Sequence, residues 1–189
     1  LNRKVGWQAI SGKGITAEHM RRSAEFVAEE LRKVGVDTKV VQSHNPDGTP
    51  GAWEVIGSKI VDEHAPTVLL YAHHDVQPVP DEGAWDTDPF VGTQIGTRLY
   101  GRGAADDGGG IANHSGAPKA PGDDLKVHAK ASNEGEEEMG PPRFIPFIEQ
   151  TRDELRSDVV IVADSGNWSA EIPSLTTSLR GNTDIDVHV

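Results

Sequence analysis

The sequence predicts an α/β fold, a twisted and mostly parallel sheet with helices on both faces, and three observations carry that expectation. The first is the order of patterns in the N-terminal third: an amphipathic helical stripe, then an extended run, a turn and another extended run. The second is a pair of short continuous apolar runs, TVLLYA at residues 67–72 and DVVIVA at residues 158–163, of the kind a strand covered on both faces requires. The third is that the residues able to bear chemistry follow strand-like segments. In open α/β sheets, ligands gather at the carboxyl ends of strands.

Each element has its own warrant. Met20, Ala24, Val27, Leu31 and Val34 form one apolar stripe with charges on the opposite face, which predicts a helix over residues 17–34. Thr16 suits its N-cap, Glu18 its positive end and Gly35 its C′ position. Residues 36–42 and 53–61 read as strands joined through the turn chemistry of Asn45-Pro46-Asp47-Gly48. After the 67–72 strand comes a long loop, residues 77–96, rich in proline and aspartate. Residues 111–120 read as a helix opened by three glycines and weakened by Gly116 and Pro118. Residues 125–132 alternate as a strand, and residues 141–156 read as a helix that Pro146 kinks or delays. The 158–163 run is expected as a second buried strand, and residues 174–189 as two more strands. No internal repeat or low-complexity linker is present.

Composition narrows the function classes. The 189 residues carry a formal charge of -12, which disfavours nucleic acid and anionic membrane surfaces as partners. No cysteine is present, which removes disulfides, thiolate metal sites and a cysteine nucleophile, and is compatible with the cytoplasm. No apolar run approaches the roughly 18 residues of a membrane span. The chain begins at Leu1 and stops at Val189 inside an alternating run, so it reads as a piece of a longer protein.

Four places stand out. His73-His74-Asp75 directly follows the 67–72 strand. The aspartate two residues beyond His73 lies on the same side and can hold the ring's other nitrogen, leaving one nitrogen for a metal, whereas His74 points the other way and reads as structural. Asp106-Asp107 sits between GRGAA and three glycines, where backbone can approach a cation closely. Glu134-Gly135-Glu136-Glu137-Glu138 concentrates like charges that a dication would relieve. Asp164 ends the 158–163 run. Taken singly, the first three are more often a loop histidine, a solvated acidic turn and a solvated acidic loop, and Asp164 is as often a cap. Taken together, His73, Asp106, the glutamate pair and Asp164 share a position after strands and offer nitrogen and oxygen donors suited to zinc or manganese. His19, His44, His64, His114, His128 and His188 read as surface or packing residues.

With those residues in view, YAHHDVQPVP, Trp85 with Asp88-Pro89-Phe90, RLYGRGAADDGGG, EGEEEMG and VVIVADSGNW together resemble the dinuclear-zinc metallopeptidases of the carnosinase, glutamate carboxypeptidase and succinyl-diaminopimelate desuccinylase type. The resemblance runs from about residue 17 to the end and is strongest toward the carnosinase-like dipeptidases. It implies that His73 and Asp164 ligate a first metal, that Asp106 bridges two metals and has a cis peptide link to Asp107, and that Glu138 ligates the second. Asp75 would orient His73, and Glu137 would be the general base for a metal-bound water. Glu134 and Glu136 would not be ligands. Two divalent ions are implied, zinc with manganese or cobalt as alternatives.

The implied function is hydrolysis of a dipeptide or small peptide amide, with a homodimer as the working assembly. An N-acyl amino acid deacylase or desuccinylase is the enzymatic alternative, and an inactive, truncated metal-binding homologue the other. The resemblance also divides the chain into a catalytic domain, residues 1–180, and the first strand of a lid and dimerisation domain, residues 181–189, whose remainder and two family histidines lie beyond Val189. Departures from the pattern are Gly108 in place of a lysine, an irregular 113–121 segment and a polar 130–133 segment.

Overall fold

A computed structural model describes residues 9–10, 18–120, 124–140, 144–181, 183 and 185–187. Thr16, Pro141 and His188, each assigned a place from sequence, lie outside the described residues. Helix α1, Glu18–Arg32, buries Met20, Ala24, Val27 and Leu31 as its stripe predicts. It ends where Gly35 takes φ +82°, a left-handed conformation costly for any residue with a Cβ, and donates to the Arg32 carbonyl. The chain then forms a hairpin of β1, Asp37–His44, and β2, Pro50–Lys59, closed by the predicted Asn45–Gly48 turn.

Strand β3, Thr67–His73, is the middle of the site-bearing half of the sheet. The long loop after it holds a single 3₁₀ turn, Glu82–Ala84, and a small hairpin of β4, Thr93–Ile95, with β5, Arg98–Tyr100. Helix α2, Gly108–Gly116, starts three residues earlier than predicted because the Asp107 carboxylate accepts the Gly110 N–H and caps it. Strand β6, His128–Glu134, follows, shifted toward its C-terminus relative to the expected 125–132. The expected single helix over residues 141–156 is two short ones, α3, Phe144–Gln150, and α4, Arg152–Leu155. They meet at Thr151, whose backbone and hydroxyl both donate to the Phe147 carbonyl. Strand β7, Val159–Val162, completes the set.

The five-stranded sheet has the order β1-β2-β6-β3-β7, with β2 alone antiparallel to the rest. The sheet is therefore mostly parallel, with helices on both faces. On one face Ala24, Val27, Leu31 and Ile111 from α1 and α2 pack on Val55, Ala72 and Ala131. On the other, Phe147 and Leu155 from α3 and α4 pack on Ile56 and Leu69. The alternation of Val55 with Ile56 between these layers follows from the two-residue period of a strand.

Two expectations are corrected. The 158–163 run is a strand, but an edge one: Val159 to Val162 are each 44–55% exposed, because β7 pairs only with β3 and no described element covers its faces. The described residues beyond Val162 form no strand, and Leu175 and Leu179 are more than 80% exposed. An extended segment becomes a strand only beside a row of free backbone partners, and none lies against these residues among those described. No helix among the described residues is long and apolar enough to cross a membrane.

Candidate metal centre

The parallel pair β3 and β6 runs in register to its carboxyl end, where His73 lies opposite Glu134. That end of the sheet is where the predicted residues meet. His73 is fully buried, and its Nδ1 lies 3.2 Å from an Asp75 carboxylate oxygen. Its Nε2 faces outward, 2.9 Å from Asp106 Oδ1 and 3.9 Å from Asp164 Oδ2. The peptide between Asp106 and Asp107 is cis. His74 takes the opposite side, buried, with Nε2 2.7 Å from the Trp53 carbonyl oxygen, the structural role expected of it. Gly135 must be glycine here: a Cβ would stand 2.4 Å from that same carbonyl oxygen and 3.0 Å from His74 Nε2.

Two overlapping groups of possible ligand atoms result. His73, Asp106 and Glu138 form one, and His73, Glu137 and Asp164 the other, with all atoms of each within 4.8 Å of one another. Asp106 is exposed, while Glu137 and Glu138 are half-buried, so the cluster is open to solvent at Asp106. Glu134 turns away and accepts the Tyr71 hydroxyl at 2.6 Å. Neither Glu134 nor Glu136 belongs to a ligand group among the described residues.

Electrostatics make this a place for a cation. Burial raises the Glu137 and Glu138 carboxyls above the ordinary range, and neighbouring acids add to it: Asp164, Glu138 and Asp75 around Glu137, and Asp106 and Asp75 around Glu138. Burial alone would lower the His73 imidazole, but Asp75, Asp106 and Asp164 override it and hold it up at about 10. Among the described residues no lysine or arginine pairs with Asp106, Glu137, Glu138 or Asp164. One imidazole facing several unpaired carboxylates fits divalent ions: the donors are nitrogen and oxygen, and a dication would supply the missing positive charge.

A second layer of polar groups fixes the turn that carries the glutamates, and the sequence did not reveal it. The Asp75 carboxylate that holds His73 also accepts the Glu137 and Glu138 N–H groups, each at 3.2 Å. Gly135 N–H donates at 3.2 Å to Oε2 of Glu54, a residue on β2 that is only 2% exposed. Gln77 donates to both carboxylate oxygens of Glu138. Asp107, adjacent to the predicted bridging residue, accepts the His73 N–H at 3.3 Å besides capping α2. Of these, only Asp75, by its spacing from His73, and Asp107, by its capping position before a helix, have a recognisable signal in the sequence; the contacts of Asp75 to the glutamate turn do not.

Glu54 yields a test of this layer. Burial, with Glu134 and Asp75 nearby, pushes its carboxyl up to about 8. A folded-state value above the unfolded one means that folding favours the protonated form. Stability is thus fullest below the ordinary carboxyl range and falls as pH rises toward 8. Glu54→Gln removes that loss. Its unfolding free energy is expected to match the parent's near pH 4 and to exceed it increasingly up to pH 8, by on the order of 4 kcal/mol at most. A difference that does not change with pH would contradict the assignment.

Residues 69–182 match the family model described as Peptidase family M20/M25/M40. The chain is 34% identical over 175 residues to a cysteinylglycine-S-conjugate dipeptidase of Corynebacterium striatum, covering 89% of this chain and 37% of that protein. It is 31% identical over 198 residues to a Beta-Ala-His dipeptidase of Rattus norvegicus, covering 97% of this chain and 40% of that one. Its fold aligns with the crystal structure of human carnosine dipeptidase 1 at a TM-score of 0.76 and 29% identity, over 88% of this chain and 37% of the other. The chain thus spans about two fifths of the length of these relatives.

Proposed function

This chain belongs to peptidase family M20/M25/M40, and from that premise we propose that it carries the metal-binding part of a dipeptidase. The observation that carries the reading is the pair of ligand groups overlapping at His73, one with Asp106 and Glu138 and the other with Glu137 and Asp164. The ions we assign to it are two, zinc in the first instance. His73, Asp106 and Asp164 would hold one, and Asp106 and Glu138 would contribute to the other. When bound, such a pair activates a water and polarises the scissile carbonyl.

The protein's own groups divide the remaining work. Asp75 accepts the His73 Nδ1 proton and so commits Nε2 to the ion. Glu137 lies in the same cluster without a cationic partner, and its environment favours proton uptake. It is the general base that takes a proton from the attacking water and returns it to the leaving amine. No covalent enzyme intermediate is needed. The substrate is a dipeptide, in keeping with the names of the relatives; the working form is a cytoplasmic homodimer. Residues 1–180 belong to the catalytic unit, and the Ser178–Gly181 segment leads into a second one.

Turnover of Cys-Gly, β-Ala-His and an N-succinyl amino acid, measured before and after chelation and zinc readdition, tests this. Dipeptide cleavage that chelator abolishes and zinc restores is expected. Cleavage of the N-succinyl compound alone would transfer the site to acyl-amino-acid hydrolysis, and turnover indifferent to chelator would overturn the metal reading.

A further inference from the structure

We propose that Gln77 is a positioning residue for the second ion, acting entirely through Glu138; this rests on the reading of Glu138 as a metal ligand. The warrant is the way the two residues meet. Gln77 N–H donates to Glu138 Oε1 at 3.1 Å, and Gln77 Nε2 donates to Glu138 Oε2 at 2.8 Å and to the Glu138 carbonyl oxygen at 3.1 Å. A primary amide has two N–H donors on one nitrogen, and here both serve a single residue. The carboxylate is gripped at both oxygens, while each oxygen keeps a lone pair for a cation.

The chemistry of the grip matters as much as its geometry. Glu138 lies in a cluster of acids without lysine or arginine partners among the described residues. A cationic side chain at position 77 would orient the carboxylate but neutralise it and compete with the ion. A second carboxylate would repel it. An uncharged double donor fixes the rotamer and leaves the negative charge available. Its position is also determined by the fold. Gln77 lies two residues beyond Asp75, so one short segment leaving β3 holds the glutamate turn twice, by the backbone through Asp75 and by the side chain through Gln77.

The test is a double-mutant cycle read as affinity for the second zinc equivalent, with Zn²⁺ alone titrated into the chain against a competing chelator and the two binding steps resolved. Gln77→Met keeps the length of the side chain and removes both donors. Gln77 is exposed, so the variant should fold, and the thermal midpoint of the metal-free chain checks that. If methionine perturbs it, Gln77→Asn, one methylene too short to reach, replaces it. Gln77→Met is expected to weaken zinc binding roughly 10–100-fold, the size of effect seen when a group behind a metal ligand is lost. Glu138→Gln should weaken it as well, and Gln77→Met should add nothing in that background. Gln94→Met, whose amide reaches only the Gly96 carbonyl, should behave as the parent. Loss of affinity in Glu138→Gln but not in Gln77→Met would overturn this proposal alone. No change in Glu138→Gln would remove Glu138 as a ligand, no zinc uptake by the unsubstituted chain would defeat the metal assignment, and either result would defeat this proposal with it.

Discussion

Glutamine in place of Glu137 is expected to lower dipeptide turnover by roughly 10²–10⁴-fold while zinc uptake remains close to the parent's. The amide has nearly the shape of the carboxylate but cannot accept a proton at neutral pH. The main-chain N–H of residue 137 would still donate to Asp75, so the turn carrying Glu138 keeps its anchor. Glu137→Asp should also lose turnover, because one methylene less withdraws the base from the water it must deprotonate. A binding measurement alongside the kinetics separates the two roles open to a carboxylate this near His73 and Asp164. Lost turnover with retained zinc identifies a base, and parallel loss of both identifies a ligand. Near-normal turnover in either variant would remove Glu137 from the mechanism.

The second large effect concerns Asp106. Its Oδ1 is 2.9 Å from His73 Nε2, and it shares a ligand group with Glu138, so it is the carboxylate placed to serve both proposed ions. Asp106→Ala should weaken zinc binding by more than about 100-fold, beyond what loss of an outer partner such as Gln77 produces. The side chain is 60% exposed, so the fold should not suffer. Without metal, the variant should be about as stable as the parent, since the deletion relieves repulsion among the acids while giving up one solvent-exposed contact to His73. Unchanged zinc affinity in the variant would exclude Asp106 as a ligand.

Much of this arrangement could be read from residue order, for identifiable reasons. The α1 stripe has helical periodicity and the 67–72 run is continuously apolar, both dense signals, and both elements form as expected. His73, Asp75, Asp106 and Asp164 stand out in the sequence because each falls in a short motif after or between strand-like segments, whereas Glu137 and Glu138 are singled out from their acidic cluster only by the resemblance to the metallopeptidases. What escaped was cooperative. Glu54 looks like one polar residue in a half-buried strand, and only the register that sets β2 beside β6 brings it under Gly135. Gln77 follows the His-x-Asp motif but has no spacing rule of its own; its partner is 61 residues away. The exposure of β7 escaped for a different reason. An apolar run specifies a strand, but its burial depends on what packs against it, and that lies in no local pattern.

Anomalous diffraction at the zinc edge, from crystals of the chain soaked in Zn²⁺, tests the central claim most directly. The account predicts anomalous density in coordinating contact with His73 Nε2, Asp106 and Asp164. Density confined to exposed side chains such as His64, with none at His73, would contradict it.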